Sequence, residues 1–107
     1  MHVQIITYNL KSATQQDYLA LCRELAPIFA KMRGLQAKYW LADPVTNTYG
    51  GVYFWTSRAA MEEYMEGEVA ASVVAHPNLA NIVSKDFDIL EAPTRVTGRL
   101  PLREIAQ

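Results

Sequence analysis

The chain has 107 residues, of which half are hydrophobic and a fifth are charged, and its formal net charge is −1. This length predicts one domain that is large enough to bury a core. Because basic residues do not outnumber acidic ones, the chain has no excess of positive charge to neutralise phosphates, and we expect no nucleic-acid partner. The lone Cys22 cannot form an intramolecular disulfide, no apolar run is long enough to span a bilayer, and the first residues lack a secretory pattern. We therefore expect a cytoplasmic protein with no membrane partner.

The first predicted elements are a strand and a helix. Residues 3–9 are rich in β-branched and aromatic side chains without a breaker, which favours a strand. From residue 15 to 32 the apolar residues recur at helical spacing, and Thr14 or Ser12 can cap this helix. Pro27 lies inside the pattern and predicts a kink.

A hairpin is predicted next. Residues 35–43 and 49–56 both read as strands, and the short polar turn between them favours antiparallel pairing. Gly50 and Gly51 at the start of the second strand indicate a bulge or a close approach of two backbones.

The second half predicts a divided helix, a strand and an arm. Ser57 is a plausible N-cap for a helix that Gly67 interrupts, and a short helical piece follows over residues 69–75. Residues 82–90 form the fourth predicted strand. Residues 92–107 contain two prolines and mixed polarity, which predicts an extended C-terminal arm.

The order β-α-β-β-α-β predicts a ferredoxin-like α+β fold with a four-stranded antiparallel sheet over residues 1–91. Two helices cover only one face of such a sheet. The other face would expose a large apolar surface, and pairing with a second copy of the chain would bury it. We therefore expect a homodimer, with the open face carrying candidates such as Ile6, Tyr8, Tyr53 and Trp55.

Aromatic residues are the main candidates for a binding site, because they concentrate on the predicted strands. They can belong to a core and a dimer interface, or they can line a flat apolar pocket for a planar ligand. The candidates for such a pocket, together with Lys38, are Phe29, Trp40, Tyr53, Trp55 and Tyr64. Lys38 can extend to the surface, or it can bind an anionic or enolate-like group.

Proton-transfer candidates are few. His76 follows an apolar helical stretch and either interacts with free helix carbonyls or acts as an acid or base at a pocket mouth. A tyrosine hydroxyl, such as that of Tyr53, is the other candidate. We expect His2 to be solvated at the terminus, and Asp86 and Asp88 to face solvent or an interface. No set of residues with metal-ligand spacing is present, so we expect no metal.

Several short segments resemble the YdhR-like mono-oxygenase family, within the dimeric α/β-barrel superfamily that includes the antibiotic-biosynthesis monooxygenases. Each segment is short, and it is their order and spacing over roughly residues 3 to 90 that carry the resemblance. They are Leu25-Ala26-Pro27, the hairpin from Gly34 through Lys38 and Trp40 to Gly50-Gly51-Val52-Tyr53-Phe54, Tyr64-Met65-Glu66, and Val83-Ser84-Lys85-Asp86-Phe87-Asp88.

The resemblance implies a homodimer whose sheets face each other as a barrel, with a ligand pocket in each subunit between helices and sheet. It also implies oxygen chemistry without metal, flavin or other cofactor, in which an electron-rich substrate itself reacts with oxygen. The haem-degrading relatives carry a ligating histidine near the position of Val74, whereas His76 lies two residues further on, so haem ligation is not expected.

These observations predict a cofactor-independent monooxygenase acting on a small aromatic or polyketide-like compound. Two alternatives stay open. The first is a small-molecule-binding or stress-related dimer without catalysis, and the second is a lactone or enol isomerase on the same fold.

Overall fold

The computed structural model describes residues 1–98. No helix in this range is long and apolar enough to cross a membrane. The elements in chain order are β1 (His2–Leu10), α1 (Gln15–Ala30), β2 (Leu35–Asp43), β3 (Thr48–Trp55), α2 (Arg58–Met65), α3 (Glu68–Val74), β4 (Leu79–Asp88) and α4 (Glu91–Thr97).

The four strands form one sheet in the order β2-β3-β1-β4, and β1 pairs antiparallel with both β3 and β4. β2 and β3 form the predicted hairpin. This arrangement confirms the ferredoxin-like α+β fold. The predicted helix two is divided as expected, because Gly67 ends α2 and serves as the N-cap of α3.

Local sequence signals explain where the helices begin. The Thr14 side chain accepts a hydrogen bond from the Asp17 backbone N–H while the Asp17 carboxylate accepts one from that of Thr14, which forms a capping box. Ser57 caps α2 in the same way through the backbone N–H of Ala60. Pro27 lies inside α1, and the helix continues past it to Ala30.

Gly50 marks the close backbone approach that the Gly50-Gly51 pair predicts. Its φ is +149°, and a Cβ there would lie 1.9 Å from the Ile6 carbonyl oxygen of β1. Because no side chain fits at that distance, the central pairing of β1 with β3 depends on a glycine at this position.

The face that we expected to be open is in fact the covered one. Ile6, Tyr8, Tyr53 and Trp55 are all buried on the helix-facing side of the sheet. The period-two pattern assigns residues to a common face, but it does not say which face meets the helices, and here both faces are apolar. The prediction chose the wrong one.

The open face carries the alternate residues of the same strands. Ile5 pairs with Val52 on one side and with Lys85 on the other. Large apolar side chains remain exposed there, with Tyr39 at 53%, Phe87 at 55% and Val83 at 47% of their surface. The apolar patch that motivated the dimer is therefore present, on the opposite side from the one expected. We call it the open sheet face.

The C-terminal segment differs from the predicted extended arm in its first part. Glu91–Thr97 forms the helix α4, and Pro93 lies in its first turn, where a missing N–H removes no helical hydrogen bond. Residues 99–107 of the predicted arm lie outside the described residues, and the domain boundary at residue 91 stays a prediction.

His2 is buried, which corrects the expectation that it is solvated. Only 3% of its surface is exposed. Its Nδ1 lies 2.7 Å from Asp88 Oδ1 and its Nε2 lies 2.6 Å from Asp86 Oδ2. Antiparallel pairing of β1 with β4 places the two carboxylates around the ring. Burial alone would lower the pKa of His2, but the hydrogen bonds and charges of the two carboxylates outweigh it, so the pKa is raised above 6.5.

The raised pKa predicts a pH-dependent contribution to stability. The folded protein holds the imidazolium more tightly than the unfolded chain does. The contribution is therefore complete below the ordinary pKa of His2 and is lost as the pH rises through the raised folded value. In urea unfolding, we expect His2→Gln to lose more free energy of unfolding relative to wild type at about pH 5.5 than at about pH 8.5.

His76→Gln is the matched control, because it removes the other histidine and leaves the carboxylate clamp intact. A deficit of His2→Gln that is equal at both pH values would contradict the charged-imidazole account.

Candidate functional site

The helix-facing side of the sheet carries a cluster of aromatic rings under α1 and α2. Phe29 of α1 is at its centre, with ring centroids 5.7 Å from Trp40, 5.8 Å from Tyr53 and 5.7 Å from Tyr64. Trp55 completes the set, since its ring stacks on Tyr53 at 6.0 Å and lies 5.3 Å from Tyr64. These five residues are called the aromatic cluster below.

Hydrogen bonds fix the floor of the aromatic cluster. Trp55 is fully buried and donates its indole N–H to Gln4 Oε1 at 3.0 Å. The Gln4 amide nitrogen in turn donates to Ser84 Oγ at 3.0 Å. Because the Trp55 indole N–H and the Gln4 amide both have hydrogen-bond partners, the Trp55 ring is held in one position against which the other rings pack.

The amine of Lys38 lies inside the aromatic cluster. Its Nζ is 3.5 Å from the ring centroid of Phe29, 3.5 Å from that of Trp40 and 4.6 Å from that of Tyr53. Among residues 1–98, no carboxylate is within ion-pair distance of it. Burial lowers the pKa of Lys38 to about 7, because the ammonium ion loses its water. The interpretation that Lys38 simply extends into solvent is therefore wrong.

Gly51 provides the space for this lysine. A Cβ at Gly51 would lie 3.0 Å from Lys38 Cε and 3.3 Å from Tyr53 Cε1. Gly51 is paired with Trp40 across the hairpin, so the missing side chain opens a slot between Trp40 and Tyr53. The lysine stem occupies that slot, and the second glycine of the pair therefore has a packing role.

A cleft opens beside the aromatic cluster, between α1 and β2. Its volume is about 380 Å³ and its surface is mostly apolar. Trp40 belongs to both the cleft wall and the aromatic cluster. The other lining residues are Gln15, Tyr18, Leu19, Cys22, Arg23, Ala26, Leu41 and Ala42.

Tyr18 lines this cleft, and its hydroxyl and that of Tyr49 belong to short hydrogen-bond pairs. The Tyr18 and Tyr8 hydroxyl oxygens are 2.5 Å apart, and Tyr49 donates its hydroxyl to Gln15 Oε1 at 2.8 Å. Burial raises the pKa of Tyr8 to about 12 and raises that of Tyr18 as well. It likewise raises the pKa of the Cys22 thiol. At neutral pH these groups are uncharged, so they can donate hydrogen bonds but cannot act as anionic nucleophiles or bases.

The structure brings together all the predicted pocket residues, namely Phe29, Lys38, Trp40, Trp55 and Tyr64, and adds Tyr53 from the predicted catalytic pair. His76 does not lie near these residues. His76 lies in the turn between α3 and β4, where its Nδ1 accepts a hydrogen bond from the Asn78 backbone N–H at 3.1 Å. It lines neither the cleft nor a smaller groove of about 180 Å³ beside Tyr64 and Val69. The catalytic roles of His76 and Tyr53 stay predictions.

Sequence reasoning missed Tyr8 and Tyr18 as site residues. The helical spacing placed Tyr18, Cys22 and Phe29 on one face of α1, so the signal for that wall was present. Tyr8 was missed because the prediction placed it on the open face of the sheet and not on the face that the helices cover. Burial raises the pKa of Tyr53 as it does for the other tyrosines, which leaves Tyr53 a hydrogen-bond donor at neutral pH.

Comparison with known proteins identifies a family. The model of the family described as putative mono-oxygenase ydhR matches residues 3–99. No curated protein matches the sequence.

Solved structures share the fold at low sequence identity. A putative antibiotic biosynthesis monooxygenase from Deinococcus radiodurans has a TM-score of 0.71 at 14% identity, covering 86% of this chain and 95% of that one. The haem-degrader MhuD from Mycobacterium tuberculosis, with two haems in its active site, has a TM-score of 0.67 at 16% identity, covering 84% and 96%. SnoaB, a cofactor-independent oxygenase from Streptomyces nogalater, has a TM-score of 0.65 at 13% identity, covering 85% and 95%.

Proposed function

Because the chain belongs to the family described as putative mono-oxygenase ydhR, we propose that it oxygenates a small, electron-rich aromatic or polyketide-like compound without a cofactor. The observation that carries this proposal is the apolar cleft of about 380 Å³, whose Trp40 wall continues into the aromatic cluster. A flat apolar site with a few hydroxyl donors suits a flat ligand that bears one or two oxygens.

The reaction needs only the substrate and dioxygen. An anthrone, for example, reacts with one O₂ to give a quinone and one water, so one oxygen atom enters the product and the other leaves reduced. The protein has three tasks in this scheme. It holds the ring in the cleft, it promotes loss of the acidic proton, and it keeps bulk water away from the reactive anion.

Two features support oxygenation as the chemistry. SnoaB, which shares the fold, is a cofactor-independent oxygenase. Tyr18 lines the cleft with a neutral hydroxyl that is hydrogen-bonded to Tyr8, and a hydroxyl of this kind can donate to a phenolate or enolate oxygen as negative charge develops there.

Haem, which MhuD binds, does not fit the residues of this chain. Val74, near which the resemblance places the ligating histidine of the haem-degrading relatives, is an exposed apolar residue that cannot coordinate iron. His76 already uses Nδ1 to accept a hydrogen bond from the Asn78 backbone N–H. Among residues 1–98, no group of three metal-ligating side chains is close enough to hold an ion.

Substitution of Trp40, which lines the cleft, tests the proposed oxygenation directly. We expect wild type to consume oxygen with members of a panel of anthrones and phenols, and Trp40→Ala to lower kcat/KM by about tenfold or more through loss of ring contacts. Trp40→Phe is the matched control that should retain most of the activity. The measurement is oxygen uptake together with product masses.

Products of unchanged mass would favour the isomerase, and binding without any reaction would favour the non-catalytic binder. His76→Ala tests the base predicted from sequence, and because His76 lines neither cavity we expect turnover to be retained.

We also propose that a second copy of the chain covers the open sheet face. Its support is the exposed Tyr39 of β2 and the exposed Val83 and Phe87 of β4, with the partly exposed Ile5 of β1 between these strands, together with the edge-on contact of Tyr39 and Phe54 at 6.2 Å. An apolar sheet face of this kind is rarely left in water.

Sedimentation velocity tests the dimer. At micromolar concentration we expect wild type to sediment as a dimer and Phe87→Glu to sediment as a monomer, because a carboxylate would be buried without a partner. Val74→Glu is the control, since it places the same charge on an exposed apolar residue of α3. A monomeric wild type would contradict the proposal.

A further inference from the structure

Lys38 is unusual among the lysines of this protein. The sequence has four lysines, and Lys11, Lys31 and Lys85 are exposed, whereas Lys38 is not. A partly buried ammonium ordinarily has a carboxylate partner, whereas within residues 1–98 the Lys38 nitrogen has no carboxylate at ion-pair distance and faces the rings of Phe29, Trp40 and Tyr53. The arrangement lets the nitrogen exist both as an amine and as an ammonium ion.

The Lys38 amine contacts the Trp40 wall of the cleft, although Lys38 itself is not among the lining residues. The Trp40 ring lines the cleft and lies 3.5 Å from Nζ. Cys22, which also lines the cleft, is the titratable group of α1 whose charge couples to Lys38. A ligand oxygen in the cleft therefore reaches this nitrogen only past the Trp40 ring, and Arg23 is the charged residue that lines the cleft itself.

We propose that the Lys38 amine accepts the acidic proton of the bound phenol or enol and that the resulting ammonium ion then holds the substrate anion. This inference rests on the proposed function and names the proton acceptor within it. It assigns to Lys38 the role that the sequence assigned to His76 or to Tyr53.

The step is balanced with dioxygen as the co-reactant. The O–H or C–H bond of the substrate breaks and its proton forms an N–H bond at Nζ, leaving ammonium and anion. The anion transfers electrons to O₂ and forms a C–O bond, which gives a peroxide anion. The ammonium returns its proton to this oxygen, which regenerates the amine and gives a hydroperoxide, and loss of water from the hydroperoxide then gives the quinone.

The surroundings of Lys38 support a reversible proton transfer. The titratable groups that face it are Cys22 from α1 and Tyr53 from β3, and Tyr64 from α2 lies behind Tyr53. Burial raises the pKa of all three, so they remain neutral, and the Lys38 pKa of about 7 leaves a usable fraction of free amine at neutral pH. The rings of Phe29 and Trp40 stabilise the cation once it forms.

The test uses 4-nitrophenol, whose phenolate absorbs at a longer wavelength than its phenol. At about pH 6 we expect the bound probe to show a phenolate-to-phenol ratio about tenfold or more above that in water, because an ammonium lies beside the oxygen. Lys38→Met, which keeps the apolar stem, should bind the probe without this rise. Lys31→Met is the matched control at an exposed lysine.

A second substitution separates holding the anion from accepting the proton. Lys38→Arg keeps a cation that stacks on rings but cannot lose its proton. We expect it to retain the phenolate band and to lower kcat about 10²-fold with an anthrone. Gly51→Ala, whose Cβ would press on Lys38 Cε at 3.0 Å, should weaken the band although the lysine is still present.

The outcomes are distinct. Equal phenolate ratios in wild type and Lys38→Met, or full turnover in folded Lys38→Met, would overturn the proposal while leaving oxygenation intact. A Lys38-dependent band in a protein that consumes no oxygen with any anthrone or phenol would refute the proposed function and leave the anion site in place. Circular dichroism of each variant establishes that it is folded.

Discussion

The site depends on one energetically costly contact, the Lys38 nitrogen held between the rings of Phe29 and Trp40. The unfolded chain binds the lysine proton up to the ordinary pKa of 10.5, while the folded protein releases it near pH 7. Between these values the unfolded state binds more protons, so this group makes stability rise with pH, and the ammonium form costs stability at neutral pH and below. His2 acts in the opposite direction, because its two carboxylates favour the charged form. The charge of the buried His2 is therefore structural, whereas Lys38 is kept in a place where its charged form is destabilising, which is typical of functional sites.

The sheet separates two tasks between its faces. The helix-facing side holds the aromatic cluster, the tyrosine hydroxyls and the cleft, and its floor is fixed by the Trp55–Gln4–Ser84 hydrogen bonds. The open sheet face carries the exposed apolar side chains that, in our proposal, a second copy of the chain covers. Because successive residues of a strand alternate between these faces, Tyr39 points to the proposed interface while its neighbours Lys38 and Trp40 point to the site. Substitutions on one face should therefore separate assembly from chemistry.

Much of this could be predicted from local sequence, and the failures have a common cause. Strands, helices and their ends follow from periodicity, caps and glycines, so the fold and the division at Gly67 were predicted correctly. The covered face was predicted wrongly because Ile5 and Ile6, or Tyr53 and Phe54, are equally apolar, and only the packing of α1 decides between them. The burial of His2 between two carboxylates could not be predicted without the β1–β4 register, which places Asp88 opposite it. Lys38 was singled out as a pocket candidate together with the aromatic residues of the strands, but its packing against the rings depends on the space at Gly51, which pattern reasoning does not measure.

The central claim is that Lys38 is a partly buried amine, enclosed by aromatic rings, whose proton is exchangeable near neutral pH, and its titration tests this most directly. Carbon-13 NMR of labelled lysine Cε would follow all four lysines, and the signal missing in Lys38→Met would identify Lys38. The account predicts a midpoint near pH 7 for that signal. A midpoint at the ordinary lysine value of 10.5 would contradict it, because it would mean that the ammonium stays hydrated and charged and cannot take a proton from a ligand.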